Sequence, residues 1–167
     1  RLMMILPLGT SSVILGLGFL LTFPHLALFQ KVPQSLVPIA HTIVALPMVI
    51  NTLYPSFLSI PENLREAAAN LGATPLQILK KIDLPLIIPP LAVSAIYAFL
   101  LSLGEFGATS FLIRPEYPTM PIAIYRYINL PGALNYGQAM AMASLLVCVC
   151  ALSMFIIENL FLKAKHA

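Results

Sequence analysis

The chain has 167 residues, of which 59% are hydrophobic and only 9% are charged, and its mean hydropathy is +0.93. Soluble domains usually carry about 25% charged residues, so this composition excludes a soluble globular domain and predicts an integral membrane protein. The formal net charge is only +3, and the basic residues are scattered along the chain, which gives no footprint for nucleic-acid binding.

Four apolar stretches follow one another along the chain and predict four membrane-spanning helices, because a helix needs about 20 mostly apolar residues to cross a bilayer. Their approximate bounds are 2–23, 35–60, 84–113 and 136–162. The charged segment 61–83 is predicted to lie outside the membrane, and 114–135 is predicted to form an outer loop. The predicted fold class is all-α, a polytopic bundle of transmembrane helices.

The distribution of lysine and arginine predicts how these helices are oriented. If the 61–83 segment is cytoplasmic, six basic residues lie on the inner side: Arg1, Arg65, Lys80, Lys81, Lys163 and Lys165. Three then lie on the outer side: Lys31, Arg114 and Arg126. Because cytoplasmic loops carry an excess of Lys and Arg, the 61–83 segment and the C-terminus are predicted to face the cytoplasm.

The start of the chain also predicts something about its origin. Arg1 is followed at once by apolar sequence, without a signal-peptide cleavage pattern. We therefore expect the chain to be the C-terminal part of a longer protein, with a processed N-terminus as the alternative.

Small residues recur within the predicted spans and predict close contacts between helices. Gly16 and Gly18 lie in the first span, and Gly104, Gly107 and Ala108 lie toward the end of the third. Residues of this size let helix backbones approach closely in lipid. The 15 prolines leave two interpretations open, because kinks at proline fit both ordinary bundle packing and a bundle that moves.

The charged segment begins with the pattern of a short capped helix. Ser59 and Glu62 fit a capping box, in which the two side chains satisfy amides at the start of a helix. The helix from Glu62 to Leu71 is rich in alanine, the best helix former. Gly72 is predicted to end it, because glycine accepts the left-handed conformation that a helix C-cap needs.

A second helix is predicted after Gly72. Thr74 and Gln77 fit another capping box, and the helix is expected to run to about Ile82. Asp83 is then predicted to cap the third span, where the chain returns to the membrane. The segment therefore predicts a hairpin of two short helices with its hinge at Gly72.

Two interpretations of this hairpin are open. It lies in the lipid headgroups as an amphipathic element, or it presents its exposed face to a partner protein. Helices that lie on lipid usually carry Lys and Arg along the polar face, opposite Trp or Phe. The first helix instead carries small alanines together with Arg65 and Glu66, which favours docking to a protein.

The hairpin resembles the EAA loop of permease subunits in bacterial ABC importers. The positions that match the pattern at its expected spacing are Glu66, Ala67, Ala68, Gly72, Ile82, Leu84 and Pro85. In that family the loop forms coupling helices that sit in a cleft on the ATP-hydrolysing subunit. The resemblance therefore implies that these residues couple the chain to an ATPase, and that the bundle has the type I importer fold.

A second resemblance concerns the solute. The stretch Ser102–Thr109, followed by Pro118–Pro121 and Ile124-Tyr125, looks similar to the branch that handles ferric iron and thiamine, whose permeases often fuse two six-span halves. It implies a multi-pass protein of the bacterial cytoplasmic (inner) membrane that moves a small solute by alternating access. The implied partners are two ATP-binding subunits, an extracytoplasmic solute-binding protein and a second permease half or copy.

Two polar residues inside the apolar stretches are candidates for a role in transport. Glu105 is the only carboxylate well inside such a stretch, and it is predicted to lie near the outer membrane boundary. It either lines the translocation path or outer gate, or is an interfacial acid at a bend shaped by the neighbouring glycines. His41, in the second span, is either a hydrogen-bonded structural histidine or part of a proton relay.

The sequence offers no set of residues for enzyme chemistry. Zinc-protease, nucleophile-elbow, redox-dithiol and phosphate-loop motifs are absent from it, so ATP hydrolysis is assigned to a partner subunit, and no catalytic residue, metal site or cofactor is predicted. Cys148 and Cys150 point to nearly opposite sides of a helix and predict no disulfide or metal pair. The alternative function is a membrane scaffold or assembly protein whose hairpin binds a partner without transport.

Overall fold

The structure, a computed structural model, describes residues 11–23, 36–113 and 116–166, with side chains described as far as Asn159. All regular structure in these residues is helical, which confirms the all-α fold class. The helices in chain order are α1 (Ser12–Thr22), α2 (Leu36–Leu58), α3 (Glu62–Asn70), α4 (Pro75–Ile78), α5 (Leu84–Gly104), α6 (Thr109–Leu112), α7 (Met120–Ile128) and α8 (Ala133–His166), with a π-helical segment, Leu79–Asp83, between α4 and α5.

Among the described residues, three helices are long and apolar enough to cross a membrane. They are Leu36–Leu58, the combined helix Pro75–Gly104 and Ala133–Asn159. Helix α1 has 11 residues, and residues 2–10 of the predicted first span lie outside the described residues, as do Arg1, Lys31 and Arg114, which the predicted orientation uses. The four-span arrangement therefore stays a prediction.

The helices α2 and α5 form the most extensively packed pair. Helix α8 packs against α5 and α7, while α1 packs against α6 and α2. Leu36, Ala40, Ala108 and Leu112 form a buried apolar cluster where α2 meets the turn before α6, and Phe19 of α1 lies against it. This cluster holds α1, α2 and α6 together at the end of the bundle away from the 61–83 segment.

Two glycines allow α1 to approach the turn between α5 and α6. A Cβ atom on Gly16 would lie only 2.7 Å from the Cα and carbonyl oxygen of Ala108. A Cβ atom on Gly107 would collide with the Ser12 hydroxyl. The close packing predicted for small residues is therefore confirmed at Gly16 and Gly107, whereas at Gly18 and Gly104 no described atom lies within 4 Å of the Cβ position.

The helix of the third span ends earlier than predicted. Helix α5 stops at Gly104 and not at Ile113, because the backbone of Glu105 is extended, with φ −69° and ψ 119°. The chain turns there before α6 begins at Thr109. The predicted outer loop also contains a helix, α7, of nine residues.

The predicted helix cap at Asp83 is wrong. Asp83 is itself helical, with φ −66° and ψ −49°, and makes no capping hydrogen bond. Helix α4, the π-helical segment and α5 instead form one continuous helix of 30 residues, Pro75–Gly104. The π-helical segment ends at Asp83, two residues before Pro85, whose ring conflicts with the carbonyl four residues earlier in a regular α-helix. The wider π-helical turn accommodates that proline without ending the helix.

The predicted capping box at Ser59 is also wrong, although α3 starts at Glu62 as predicted. The Ser59 hydroxyl donates to the carbonyl of Ser56 at 2.9 Å, and Pro61 occupies the N-cap of α3 without a side-chain hydrogen bond. Because α2 runs as far as Leu58, the Ser59 hydroxyl satisfies a carbonyl at the end of α2.

Candidate functional site

The candidate site is the hairpin, residues 62–83, together with a polar cluster at the far end of α5. The first arm of the hairpin is α3, none of whose side chains is buried by the residues that the structure describes. Leu64 is 44% exposed, and Leu71, directly after α3, is 89% exposed. The apolar side of this arm is therefore left uncovered by the described part of the chain.

Gly72 ends the first arm as predicted. Its φ is +83°, in the left-handed region that favours glycine. The amide of Gly72 donates to the carbonyl of Ala69 at 2.9 Å, and the amide of Ala73 donates to that of Ala68 at 3.0 Å. This pair of hydrogen bonds is a Schellman motif. No atom lies within 4 Å of a Cβ placed on Gly72, so its backbone conformation, and not space, requires the glycine.

The second arm begins with the predicted capping box at Thr74 and Gln77, which is confirmed. The backbone amide of Thr74 donates to Oε1 of Gln77 at 2.8 Å. Pro75 occupies the first helical turn, where its missing amide costs nothing. The arm then continues through the π-helical segment directly into α5, so both ends of the turn between the arms have fixed geometry.

The structure brings three residues of the EAA pattern together and leaves four apart from them. Ala68, Gly72 and Ile82 line a cleft of about 470 Å³ between the two arms, and the same cleft is lined by Leu71, Ala73, Gln77, Ile78 and Lys81. The four that do not line it are exposed: Glu66, Ala67, Leu84 and Pro85. The pattern therefore covers both the inside of the hairpin and its accessible surface.

An ion pair that the sequence analysis missed joins the two arms. Nε of Arg65 on α3 lies 2.9 Å from Oδ1 of Asp83 at the end of the π-helical segment, and their side chains are 34% and 14% exposed. Because the sequence pattern predicts a helix cap at Asp83, this residue was not considered as a partner of Arg65. The sequence did contain a signal for this ion pair: Arg65 and Asp83 carry opposite charges and lie at equal distances on either side of Thr74. A hairpin that turns near Thr74 places two such residues opposite each other.

The polar cluster links α2 to the far end of α5. Nδ1 of His41 lies 2.7 Å from the Ser102 hydroxyl, and Nε2 lies 2.7 Å from the Thr109 hydroxyl. Thr109 is fully buried. Both ring nitrogens of His41 have partners from two other elements of the fold, which agrees with its interpretation as a hydrogen-bonded structural histidine; the proton relay stays a prediction.

Glu105 belongs to the same region and is only 8% exposed. Its Oε1 accepts a hydrogen bond from the backbone amide of Ala108 at 2.8 Å. The carboxylate therefore satisfies an amide at the bend before α6, which agrees with its interpretation as an acid at a helix end. Its assignment to the translocation path or outer gate stays a prediction.

A second cleft, of about 480 Å³, lies between α2 and α5 beside this cluster. His41 and Ser102 contribute polar atoms to its wall, while Ala45, Leu46 and Phe99 are among its apolar residues. Within the described residues, no group of three or more His, Cys, Asp or Glu side chains is placed to hold a metal ion. The cleft wall is therefore mostly apolar, with hydrogen-bonding groups at one end.

Long apolar helices with a capped and exposed hairpin between two of them define a polytopic membrane protein. A family model described as "Binding-protein-dependent transport system inner membrane component" matches residues 1–165. The chain belongs to this family, the permease subunits of ABC importers. The predicted importer-permease class is thereby confirmed.

Three similar proteins carry different names. The chain is 28% identical over 155 residues to PhnV of Salmonella typhimurium LT2, named for 2-aminoethylphosphonate transport, covering 93% of this chain and 57% of PhnV. It is 32% identical over 117 residues to the molybdenum transport permease ModB of Haemophilus influenzae, covering 68% and 51%. It is 32% identical over 126 residues to the spermidine/putrescine transport permease PotC of Escherichia coli K12, covering 75% and 46%.

These relatives bear on two predictions. The chain spans about half the length of the curated relatives that it matches. None of the three is named for ferric iron or thiamine, so they do not support the subfamily expected from Ser102–Thr109. What they share with each other is transport of a small solute.

The His41 contacts predict a specific loss of stability. His41→Ala leaves the buried Thr109 hydroxyl without its partner, which costs about 1–3 kcal/mol of unfolding free energy. Thr42→Ala is the matched control, because Thr42 donates only to the Pro38 carbonyl of its own helix. We expect thermal unfolding of the full-length protein in detergent to show a lower midpoint for the His41 variant alone. Equal midpoints for the two variants would contradict a bridging role.

Proposed function

We propose that the hairpin receives the motion of a partner ATPase and passes it to the membrane-spanning helices of an importer permease. The observation that supports this most directly is that the described part of the chain buries no side chain of α3 and leaves Leu71, beside its end, 89% exposed. The hairpin is nevertheless held by caps at both ends of its turn. A rigid element with an uncovered apolar side suits a protein partner better than a flexible loop would.

The proposed contact residues are those of the EAA pattern. Glu66 and Ala67 lie on the accessible surface of α3. Glu66 provides a negative charge, and the small side chain of Ala67 lets a partner approach the helix closely. Gly72 fixes the angle at the turn, and Ala68 and Ile82 lie between the arms. Leu84 and Pro85 begin α5, where the hairpin enters the span.

The continuous helix Pro75–Gly104 supports a rigid-body mechanism. A displacement of the hairpin by ATP-dependent closure of the ATPase subunits would be carried along this helix, because no loop interrupts it. Helix α2 would move with it through their extensive contact. Such a motion of packed helices would alternate access to the solute path between the two sides of the membrane.

Three further partners belong to this proposal. The name of the family requires a binding protein, which we place on the extracytoplasmic side. Two ATP-binding subunits are expected on the cytoplasmic side together with the hairpin and the C-terminus of the chain. A second permease half or copy completes the path, in the inner membrane of a bacterium.

The solute is proposed only as a class. The relatives are named for a phosphonate, for molybdenum and for polyamines, and ferric iron and thiamine remain expectations from the sequence. These solutes differ in the sign of their charge but are all small and polar. We propose a small polar solute, delivered by the binding protein.

Crosslinking from the hairpin tests the coupling role. Ala69 is exposed on α3, so Ala69→Cys carries a photoactivatable crosslinker in a protein whose own cysteines are replaced by serine. In membranes with the complete importer we expect crosslinks to the ATPase subunit whose yield changes when ATP is added. Crosslinks whose yield does not change with ATP would favour the scaffold function. Reaction of the crosslinker with lipid alone would contradict the proposal that the hairpin docks on a protein.

Gly72 provides a second test. Gly72→Ala forces a residue with a Cβ to adopt φ +83°, which costs about 1–2 kcal/mol and is relieved by a change in the angle between the arms. We expect ATP hydrolysis to continue while the ATP-dependent change in the Ala69 crosslink is lost. Gly72→Asn is the control, because asparagine tolerates the left-handed conformation and should retain the change. Intact coupling in the alanine variant would remove this role of Gly72.

Glu105 is proposed to line the translocation path or outer gate. Glu105→Gln keeps an oxygen to accept the Ala108 amide but removes the charge, so the thermal midpoint should stay unchanged. Uptake should fall about tenfold, the value of one charge-assisted contact. The assay offers cells radiolabelled phosphonate, molybdate, spermidine, ferric iron and thiamine in turn. Glu158→Gln, on an exposed position of α8, is the control, and equal uptake by both variants would refute the proposal.

A further inference from the structure

The ion pair between Arg65 and Asp83 occupies a mechanically important position. Helix α3 packs mainly against the short helix α4. The turn at Gly72 adds only the covalent backbone connection between these two helices. The Arg65–Asp83 contact, at 2.9 Å, is a direct side-chain link from α3 to the base of α5, because Asp83 immediately precedes Leu84. Without it, the angle of α3 would rest on the turn and on its limited contact with α4.

The chemistry of the Arg65–Asp83 pair favours a fixed orientation between the two arms of the hairpin. A guanidinium group is planar and presents its donors in fixed directions, unlike the ammonium group of lysine. The Asp83 side chain is only 14% exposed, so this carboxylate is better shielded from solvent than a typical surface partner. Its backbone lies within a continuous helix, which fixes the position of the acceptor.

The helix that carries Asp83 ends at the polar cluster. Pro75–Gly104 is uninterrupted, and at its far end Ser102 bonds His41 while Glu105 bonds the Ala108 amide. Two side-chain links thus hold α5, one to α3 at its base and one to α2 near its other end. Besides the turn and the limited contact of α3 with α4, the ion pair at the base is a side-chain route by which a displacement of α3 reaches α5.

We infer that Arg65 and Asp83 are positioning residues for transport, which fix α3 to the third span so that movement of the hairpin reaches the far end of α5. This inference rests on the proposed coupling function. The pair contacts neither solute nor nucleotide in this scheme; it acts through α5. Loss of the pair leaves docking of the hairpin intact and weakens the connection of α3 to the span, which then rests on the turn and on the contact with α4.

Two reporters separate docking from transmission. The first is the crosslink from Ala69→Cys to the ATPase subunit. The second is Ser110→Cys, on an exposed position of α6, whose labelling rate by a membrane-impermeant maleimide is measured with and without ATP. Both are placed in the complete importer in membranes, after replacement of Cys148 and Cys150 by serine. The parent should respond to ATP at both positions.

The variants are R65Q, D83N, the double variant R65Q/D83N and the charge swap R65D/D83R. Each single variant should reduce the ATP-dependent change at Ser110→Cys about fivefold, the factor that corresponds to loss of a partly shielded ion pair. The double variant should be no worse than either single variant, and the swap should restore most of the change. The Ala69 crosslink should persist throughout, and K80Q, which removes an exposed charge from the same segment, should behave as the parent.

Every other result would contradict either this inference or the proposed coupling function on which it rests. Single variants that keep the ATP-dependent change at Ser110→Cys, or a double variant with the summed loss of both singles, would show an ordinary surface ion pair and overturn the inference. A parent without that change but with the Ala69 crosslink would overturn it as well. No ATP-dependent Ala69 crosslink in the parent would refute the proposed function itself. If the charge-swapped protein fails to accumulate in the membrane, the comparison of the double variant with the two single variants tests the inference by itself.

Discussion

The bilayer imposes the constraint on which the rest of this structure depends. Charged groups and unpaired backbone groups are costly in hydrocarbon, so a chain with 9% charged residues places irregular backbone and charge where polar partners exist. The hairpin at residues 62–83 is one such place, and the bend at Glu105 is another. There the Glu105 carboxylate accepts a hydrogen bond from the Ala108 amide at 2.8 Å, so a side chain at the break in the helix satisfies one of the backbone amides of the bend.

The same constraint makes α5 the element that connects these two places. Pro85 would disrupt a regular α-helix, yet the π-helical segment before it keeps Pro75–Gly104 continuous. One continuous helix therefore joins an exposed hairpin to a buried polar cluster. His41 ties α2 to that cluster, so the two most closely packed spans share a link away from the hairpin. The proposed transmission of motion uses this arrangement and requires no flexible joint within α5.

Particular residues show where sequence reasoning succeeded and where it failed. The helical arms, the turn at Gly72 and the Thr74 capping box were predicted, because each depends on residues within a few positions of one another. The caps assigned to Ser59 and Asp83 were wrong for the opposite reason. A capping pattern identifies side chains that can bond a nearby amide, but it does not say whether a preceding helix or a distant arginine competes for them.

The sequence by itself determined the all-helical class, the membrane environment, the hairpin and the importer family, because composition, periodicity and a spaced motif are local properties of the chain. Only the tertiary structure decided that Arg65 bonds Asp83, that His41 bridges Ser102 and Thr109, and that α5 ends at Gly104. These features join residues that are distant in sequence or depend on competition between partners. The physical reason is that a hydrogen bond or ion pair forms with the group that packing brings within reach, and packing is decided by the whole fold.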